Sequence, residues 1–155
     1  MRRQARQWAL MNLYALDVGR GRAERSVPLV FASFGGSEPI DPNPSWDRHP
    51  AYRMWLDERL EEARSFAKEL VEGVEAHRDG LDAALGGVSR NWRLDRMAIL
   101  DRNVLRLAAF ELLHHGEKTP RKVVINEAVE LAKTFGTKES GAFVNGILDR
   151  IGRES

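Results

Sequence analysis

The stretch PRKVVINEAVELAKTFGTKESGAFVNGILDRI, residues 120–151, contains two helical patterns with a short break between them. Side chains one helical turn apart share a face, so a helix that buries one side shows apolar residues every three or four positions. The first pattern has this spacing at Val124, Ala128, Leu131 and Phe135. The second has it at Phe143, Val144, Ile147 and Ile151. The stretch therefore predicts two consecutive helices, each with one buried face.

The ends of these two helices have residues that suit them. Pro120 can open the first helix, because proline lacks the backbone N–H that a first turn leaves without a partner. Gly136 is typical of the position at which a helix ends. Thr137 can cap the second helix, since its hydroxyl can accept a hydrogen bond from a free N–H of the first turn. We therefore expect the break at Gly136 and Thr137.

Helical spacing continues over most of the remaining chain. It predicts a first helix that ends near Gly19 and a long helix that starts at Tyr52. It also predicts a strong helix over DRNVLRLAAFELL, residues 101–113. Since no alternating strand pattern is present, the predicted fold class is all-α, a helical bundle.

Shorter helices are expected between these long ones. SVPLVFASF, residues 26–34, is expected to form one with Ser26 as its cap, and another is expected to follow Asp95. DGLDAAL, residues 79–85, either continues the long helix or starts a new one with Asp79 as its cap. Both alternatives keep the segment helical.

Residues 35–50, GGSEPIDPNPSWDRHP, interrupt the helical pattern. Glycine and proline at this density sustain neither a helix nor a strand, so the segment is predicted to be a long exposed loop. A second break lies at the glycines around Gly86. The two breaks together favour a division into two helical lobes.

The composition excludes several classes of protein. A chain of 155 residues can bury a core without a disulfide or metal, and the absence of cysteine excludes disulfides and thiolate chemistry. The N-terminus lacks the apolar run of a signal peptide, and no stretch approaches the roughly 20 apolar residues of a membrane span. We therefore expect a soluble, cytoplasmic protein with no membrane partner.

The motifs that would indicate catalysis or metal binding are absent or incomplete. Glu111 and His114 form one Glu-x-x-His step, whereas a di-iron bundle needs two such steps and further glutamates. The glycines of GRGR, residues 19–22, follow a helix and lack the strand–turn–helix setting of a phosphate-binding loop. We expect no enzyme activity, no cofactor and no metal.

Three arginines, Arg2, Arg3 and Arg6, occupy the start of the first helix. A helix N-terminus is partially positive, so cations there cost a few tenths of a kcal/mol each. A bound anion would reverse this effect, because free backbone N–H groups and guanidinium groups both attract phosphate. On a helix the three side chains can present one basic face, which predicts an anion-binding surface.

The C-terminal half resembles the NusB family of antitermination factors. INEAVELAK (125–133), followed by FG and then by FVNGILD (143–149), carries the resemblance together with an arginine-rich first helix that ends in LYAL. It covers the chain except for a weakly matching stretch around residues 22–60. It implies one domain, residues 1–155, built of two three-helix lobes, about 1–80 and 81–155.

The resemblance also implies a function. Members of the family bind boxA-type single-stranded RNA together with the small-subunit ribosomal protein NusE, and the assembly modifies the RNA polymerase antitermination complex during rRNA transcription. On this basis the anion at the first helix is RNA phosphate. Arg2, Arg3 and Arg6 match the family's RNA-binding motif, although Gln4 stands where many members have another arginine.

The resemblance assigns further residues to RNA and to NusE. Lys138, Glu139 and Phe143 match positions that the family sets against RNA, with core packing as the equal alternative for Phe143. Phe135 is either a core residue, the favoured interpretation, or an RNA platform. The NusE contacts implied are Tyr14 and Asp101. Asp101 can equally be a helix N-cap.

Two other functions remain compatible with the sequence. One is a helical adaptor that binds only proteins and has no salt-dependent affinity for RNA. The other is an RNA-binding accessory domain related to the N-terminal domains of rRNA methyltransferases, although this chain has no βαβ region for a catalytic domain. An RNA-binding titration separates the first of these from an antitermination factor.

Overall fold

The structure, a computed structural model, describes residues 2–19, 50–89, 92–115 and 118–151. Within these ranges the regular elements are helical and no strand is present, which confirms the all-α prediction. The helix expected over residues 26–34, with its cap Ser26, lies outside the described residues. So does the loop expected over residues 35–50, except for its last residue.

Six α-helices and one 3₁₀ helix make up the described part of the chain. They are α1 (Arg2–Gly19), α2 (Pro50–Ala76), α3 (Arg78–Val88), a 3₁₀ helix (Leu94–Arg96), α4 (Ile99–His114), α5 (Arg121–Phe135) and α6 (Ser140–Leu148). The predicted end of the first helix at Gly19 is confirmed. The long helix begins at Pro50, slightly before the predicted Tyr52. The short helix expected after Asp95 is a single 3₁₀ turn that contains it.

Contacts within the chain divide it into two compact units, residues 1–69 and 70–155. The sequence placed the division near residue 80, whereas the structure places it between Glu69 and Leu70. This position lies inside α2, so one continuous helix supplies residues to both units. We describe the two units separately.

The first unit has a buried apolar stripe on α1. Its members recur at the predicted helical spacing and are Ala5, Trp8, Ala9, Leu10, Leu13 and Leu16. Asn12 is also buried on this helix, and its Nδ2 donates to the carbonyl oxygen of Trp8 at 2.8 Å. On α2, Ala63 and Ala67 are buried at positions one turn apart. The helical period therefore identified the buried faces of this unit.

The second unit is built around α4, in which every residue from 102 to 111 is buried. This helix packs against α3, α5 and α6, and α5 packs against α6. Phe110 of α4 lies so close to Gly73 of α2 that a β-carbon on Gly73 would come within 2.1 Å of the Phe110 ring. Glycine is therefore required there, because only it lets the ring approach the helix backbone.

A buried ion pair joins α3 to α4 in the same unit. Arg106 donates from Nε to Asp82 Oδ1 at 2.7 Å and from Nη2 to Oδ2 at 3.2 Å. The Arg106 side chain is nearly inaccessible and that of Asp82 is largely covered. Two parallel hydrogen bonds fix the relative position of the two groups, which is the geometry that guanidinium and carboxylate favour.

Two helix caps that the sequence offered as alternatives are not formed. Asp79 and Asp101 both lie inside the first turns of their helices, α3 and α4. The cap positions belong to His77 and Ala98, neither of which makes a side-chain capping hydrogen bond. Each helix starts earlier than its aspartate, and the carboxylates instead lie where the helix dipole favours negative charge.

The break between α5 and α6 is confirmed at Gly136, and the cap predicted for α6 is wrong. Gly136 ends α5, and its N–H donates to Ala132 O at 2.9 Å. A β-carbon there would lie 2.6 Å from that same oxygen, so the close approach requires glycine. Thr137 does not cap α6, because Glu139 takes that position. Thr137 N–H instead donates to Ser140 Oγ at 3.0 Å, which closes the intervening turn.

Candidate nucleic-acid interface

The N-terminus of α1 carries arginines and has no acidic residue close to it in the sequence. The helix begins at Arg2 and has no acidic residue in its first turn. Arg2 and Arg3 are exposed. Backbone N–H groups and guanidinium groups are therefore gathered at the positive end of one helix, an arrangement that attracts anions.

An aromatic ring on α2 lies beneath two of these arginines. The Cζ atom of Arg2 is 5.2 Å from the centroid of the Phe66 ring, and that of Arg6 is 5.7 Å from it. Both distances fall within the range of cation–π attraction. Arg6 is only 3% exposed, so the expectation that all three arginines form one solvent-facing surface is wrong for Arg6. We call Arg2, Arg6 and Phe66 the arginine–phenylalanine cluster.

In the second unit, the turn between α5 and α6 carries three of the predicted RNA residues. Lys138 and Glu139 are exposed immediately before α6. Phe135 is 39% exposed, although its spacing placed it on the buried face of α5. It is the last residue of that helix, where the covered face ends. Core packing, the favoured interpretation of Phe135, is therefore wrong.

Phe143 is half-buried and does not lie in the core as its neighbours do. Val144 and Ile147 are buried on the same helix, as predicted. The Phe143 ring meets Trp92 edge to face, with 5.5 Å between the ring centroids. Trp92 is 57% exposed, and the sequence reading did not select it. Its signal was an aromatic residue among arginines, in RNWR at residues 90–93.

The two residues assigned to a protein partner lie in different units. Tyr14 is 42% exposed on α1, and Val18, one turn further along, is 58% exposed. Val18 extends the exposed apolar surface and was not selected from the sequence. Asp101 of α4 is half-buried, and its Oδ1 is covered without a hydrogen-bond partner among the described residues. The Asp101 carboxylate is therefore not used in capping.

The histidines of the second unit form an aromatic cluster. The rings of His77 and His114 stack with centroids 3.9 Å apart, and Phe110 lies 5.7 Å from His114. Partial burial lowers the pKa of His114, and the neighbouring His77 and His115 lower it further by repulsion. Over the described ranges, no group of three or more His, Asp or Glu residues has a geometry that could hold a metal ion. Within the same ranges, no helix is long and apolar enough to cross a membrane.

Comparison with known proteins gives one consistent family. The family model described as the NusB family matches residues 45–153. The transcription antitermination protein NusB of Myxococcus xanthus strain DK1622 is 44% identical over 150 residues, which cover 97% of this chain and 93% of that protein. The relative from Geobacter sulfurreducens, with the same name, is 41% identical over 150 residues, covering 97% of this chain and 92% of its own.

Solved structures agree with the sequence comparisons. NusB of T. maritima superposes with a TM-score of 0.73 at 32% identity, covering 99% of this chain and 92% of that one. A crystal structure of the antitermination factors NusB and NusE in complex with double-stranded RNA contains a chain with a TM-score of 0.72 at 25% identity. That match covers 99% of this chain and 97% of the other.

Proposed function

The chain belongs to the NusB family, and from this premise we propose that it is a transcription antitermination factor without catalytic activity. It binds boxA-type single-stranded RNA together with ribosomal protein NusE and acts on the RNA polymerase antitermination complex during rRNA transcription. Because its target is nascent RNA, it works in the cytoplasm. The arginine-rich start of α1 carries this proposal.

Positive charge at the start of α1 favours the binding of phosphate. Arginines at a helix N-terminus lower the stability of a helix on its own, and a phosphate between them removes this penalty. Arg2 and Arg3 are exposed to take such phosphates. The Phe66 ring lies within 6 Å of the Arg2 guanidinium and attracts it without adding a formal charge. The side chain is thereby restrained before RNA arrives, which lowers the entropy lost on binding.

The turn before α6 supplies contacts of a different chemistry. Lys138 offers a cation for phosphate, and the half-buried Phe143 and exposed Phe135 offer rings for bases. Proteins hold single-stranded RNA by this combination of backbone charge and aromatic stacking. Glu139 repels phosphate and can accept a hydrogen bond from a base amino group, which favours selection among bases over general affinity.

NusE is assigned to Tyr14, Val18 and Asp101. A tyrosine with an exposed apolar neighbour is typical of an interface anchor, because it brings a large apolar area and a hydroxyl. Asp101 supplies negative charge, which suits a basic ribosomal protein and opposes RNA. The solved NusB complex named above contains both NusE and RNA.

The test is a titration of the full chain with a short single-stranded RNA that carries boxA, with and without NusE. A duplex of the same sequence is titrated in parallel. We expect binding of the single strand that strengthens in the presence of NusE. Binding of NusE with no salt-dependent RNA affinity would instead identify a protein-only adaptor.

A charge variant tests the assigned surface. Arg2→Ala with Arg3→Ala removes two phosphate contacts, so the slope of log K against log salt should flatten by about 0.7 for each. The control is Lys118→Ala with Lys122→Ala, which removes the same charge from exposed positions near the start of α5. Equal slopes for the two double variants would refute the assignment of the RNA surface to α1.

A further inference from the structure

An open groove of about 260 Å³ lies beside Phe143 in the second unit. Its walls come from the end of α3, the segment that follows it, and one face of α6. The residues that line it include Val88, Ser89, Trp92, Phe143, Gly146 and Arg150. The volume is just below the range of about 300–1,000 Å³ that is typical of small-molecule sites, which suits a flat group smaller than a whole nucleotide.

Trp92 is held in place at the mouth of this groove. Its N–H donates to Ser89 O at 3.2 Å, and the Ser89 hydroxyl donates back to Trp92 O at 3.0 Å. Ser89 is itself buried, so the backbone of Trp92 has a fixed support. The backbone that carries this 57% exposed indole is therefore held in place before a ligand covers the ring.

We infer that this groove binds one nucleobase of the single-stranded RNA, stacked on the Trp92–Phe143 pair. The inference rests on the proposed function and deepens it, since it adds Trp92, Gly146 and Arg150 to the RNA-binding residues. The two rings meet edge to face, and the 57% exposure of Trp92 leaves part of the pair open to a third ring. Every base has a face that can stack.

The charge at the groove favours a nucleotide over an apolar side chain of a protein. Of the described residues that line the groove, Arg150 is the one that carries a charge. Its Nη1 donates to Val88 O at 3.3 Å, which holds the guanidinium at the groove. A guanidinium beside an aromatic slot can contact the phosphate of the stacked nucleotide or an acceptor on its base.

Gly146 gives a way to close the groove without disturbing the core. A β-carbon built on Gly146 meets no atom within 4 Å, and the residue lines the groove on α6. Gly146→Leu therefore places a side chain in the groove, and leucine is a better helix former than glycine. Gly80→Leu is the matched control, because Gly80 is also helical, exposed and without a neighbour within 4 Å.

We expect Gly146→Leu to weaken binding of the boxA RNA by about 5- to 150-fold, the range for loss of one base–aromatic stack. Gly80→Leu should bind as the wild type does, and both variants should melt no lower than the wild type. Wild-type affinity in a folded Gly146→Leu variant would overturn the inference. Loss of NusE binding with RNA affinity retained would overturn it too, because the groove would then serve the protein partner.

A second measurement identifies the base directly. RNAs with one abasic position at a time are titrated against the wild type and Trp92→Leu. At the stacked position, the two changes together should cost no more than either alone, since each removes the same contact. Trp92→Phe should retain most of the affinity. Additive losses at every position would overturn the inference, whereas absence of RNA binding by the wild type would refute the proposed function itself.

Discussion

The two units bury arginine in different ways. In the first, Arg6 is covered and its guanidinium lies over the ring of Phe66. In the second, Arg106 is covered and forms two hydrogen bonds with the carboxylate of Asp82. The carboxylate neutralises the charge of Arg106 and ties two helices together. The Phe66 ring attracts the guanidinium of Arg6 and brings no formal charge of its own.

The comparison separates two uses of the same side chain. Other arginines of the second unit also bind within the fold, for example Arg121, whose Nη2 donates to the carbonyl oxygen of Leu148 at 3.0 Å. These arginines connect helices. The arginine–phenylalanine cluster lies at a helix N-terminus, where a further positive charge is unfavourable for the helix itself. Basic residues alone therefore do not mark an RNA surface in this chain.

The largest effect is expected on stability, when the ion pair between Arg106 and Asp82 is broken. Asp82→Ala leaves the covered Arg106 guanidinium without its carboxylate, which should lower the free energy of unfolding by about 3 kcal/mol. Asp79→Ala is the control, since Asp79 is exposed on the same helix. Denaturant unfolding measures both. A loss below 1 kcal/mol for Asp82→Ala would show that this arginine does not depend on its carboxylate, and the comparison would fail.

A smaller effect, on the affinity for RNA, is expected when Phe66 is replaced. Phe66→Leu keeps an apolar side chain and removes the ring that attracts the Arg2 and Arg6 guanidinium groups. The affinity for RNA should fall by about 0.5–1.5 kcal/mol, the cost of ordering one side chain that the ring no longer restrains. Phe66→Trp should restore it, because indole is the strongest of the aromatic partners. The comparison would be contradicted if leucine and tryptophan variants of equal stability bound RNA equally.

The smallest effect concerns His114 in the second unit, whose protonation is opposed by its surroundings. The pKa of His114 is lowered by partial burial and by repulsion from His77 and His115. The unfolded chain takes up this proton near its ordinary pKa of about 6.5, whereas the folded chain takes it up at lower pH. Stability is therefore complete above that value and declines as the pH falls from it through the folded pKa.

His114→Gln should make stability less dependent on pH in this window. Thermal unfolding of the wild type and the variant from neutral to mildly acidic pH measures the difference. An unchanged pH dependence would show that protonation of His114 does not oppose folding. The expected result would show that a positive charge next to other histidines lowers stability, whereas Arg106 next to a carboxylate raises it.

The sequence predicted the buried stripes well and the helix starts less well. Ala63, Ala67, Leu70 and Val74 are all fully covered, as their spacing requires. Periodicity extends over many residues and tolerates an error at any one of them. A cap depends on the conformation of one residue, so the caps considered at Asp79 and Asp101 did not form although both helices exist.

The burial of residues at the ends of the apolar stripes was harder to predict from the sequence. Phe135 continues an apolar stripe and is nevertheless 39% exposed at the last position of its helix. Phe143 lies on the border of its stripe and is half-buried. Spacing assigns a direction to each side chain, and it does not show how far the neighbouring helix extends.

By itself, the sequence determined the all-α class, the buried positions Val124, Ala128 and Leu131 of α5 and Val144 and Ile147 of α6, the family and the basic start of α1. Each of these features depends on local periodicity or on motifs that lie within one segment of the chain. Only the tertiary structure decided that Phe66 lies against Arg2 and Arg6, that Trp92 meets Phe143, and that Asp82 holds Arg106. Each of these contacts joins different parts of the chain, and their geometry is set by helix packing rather than by the identity of either residue.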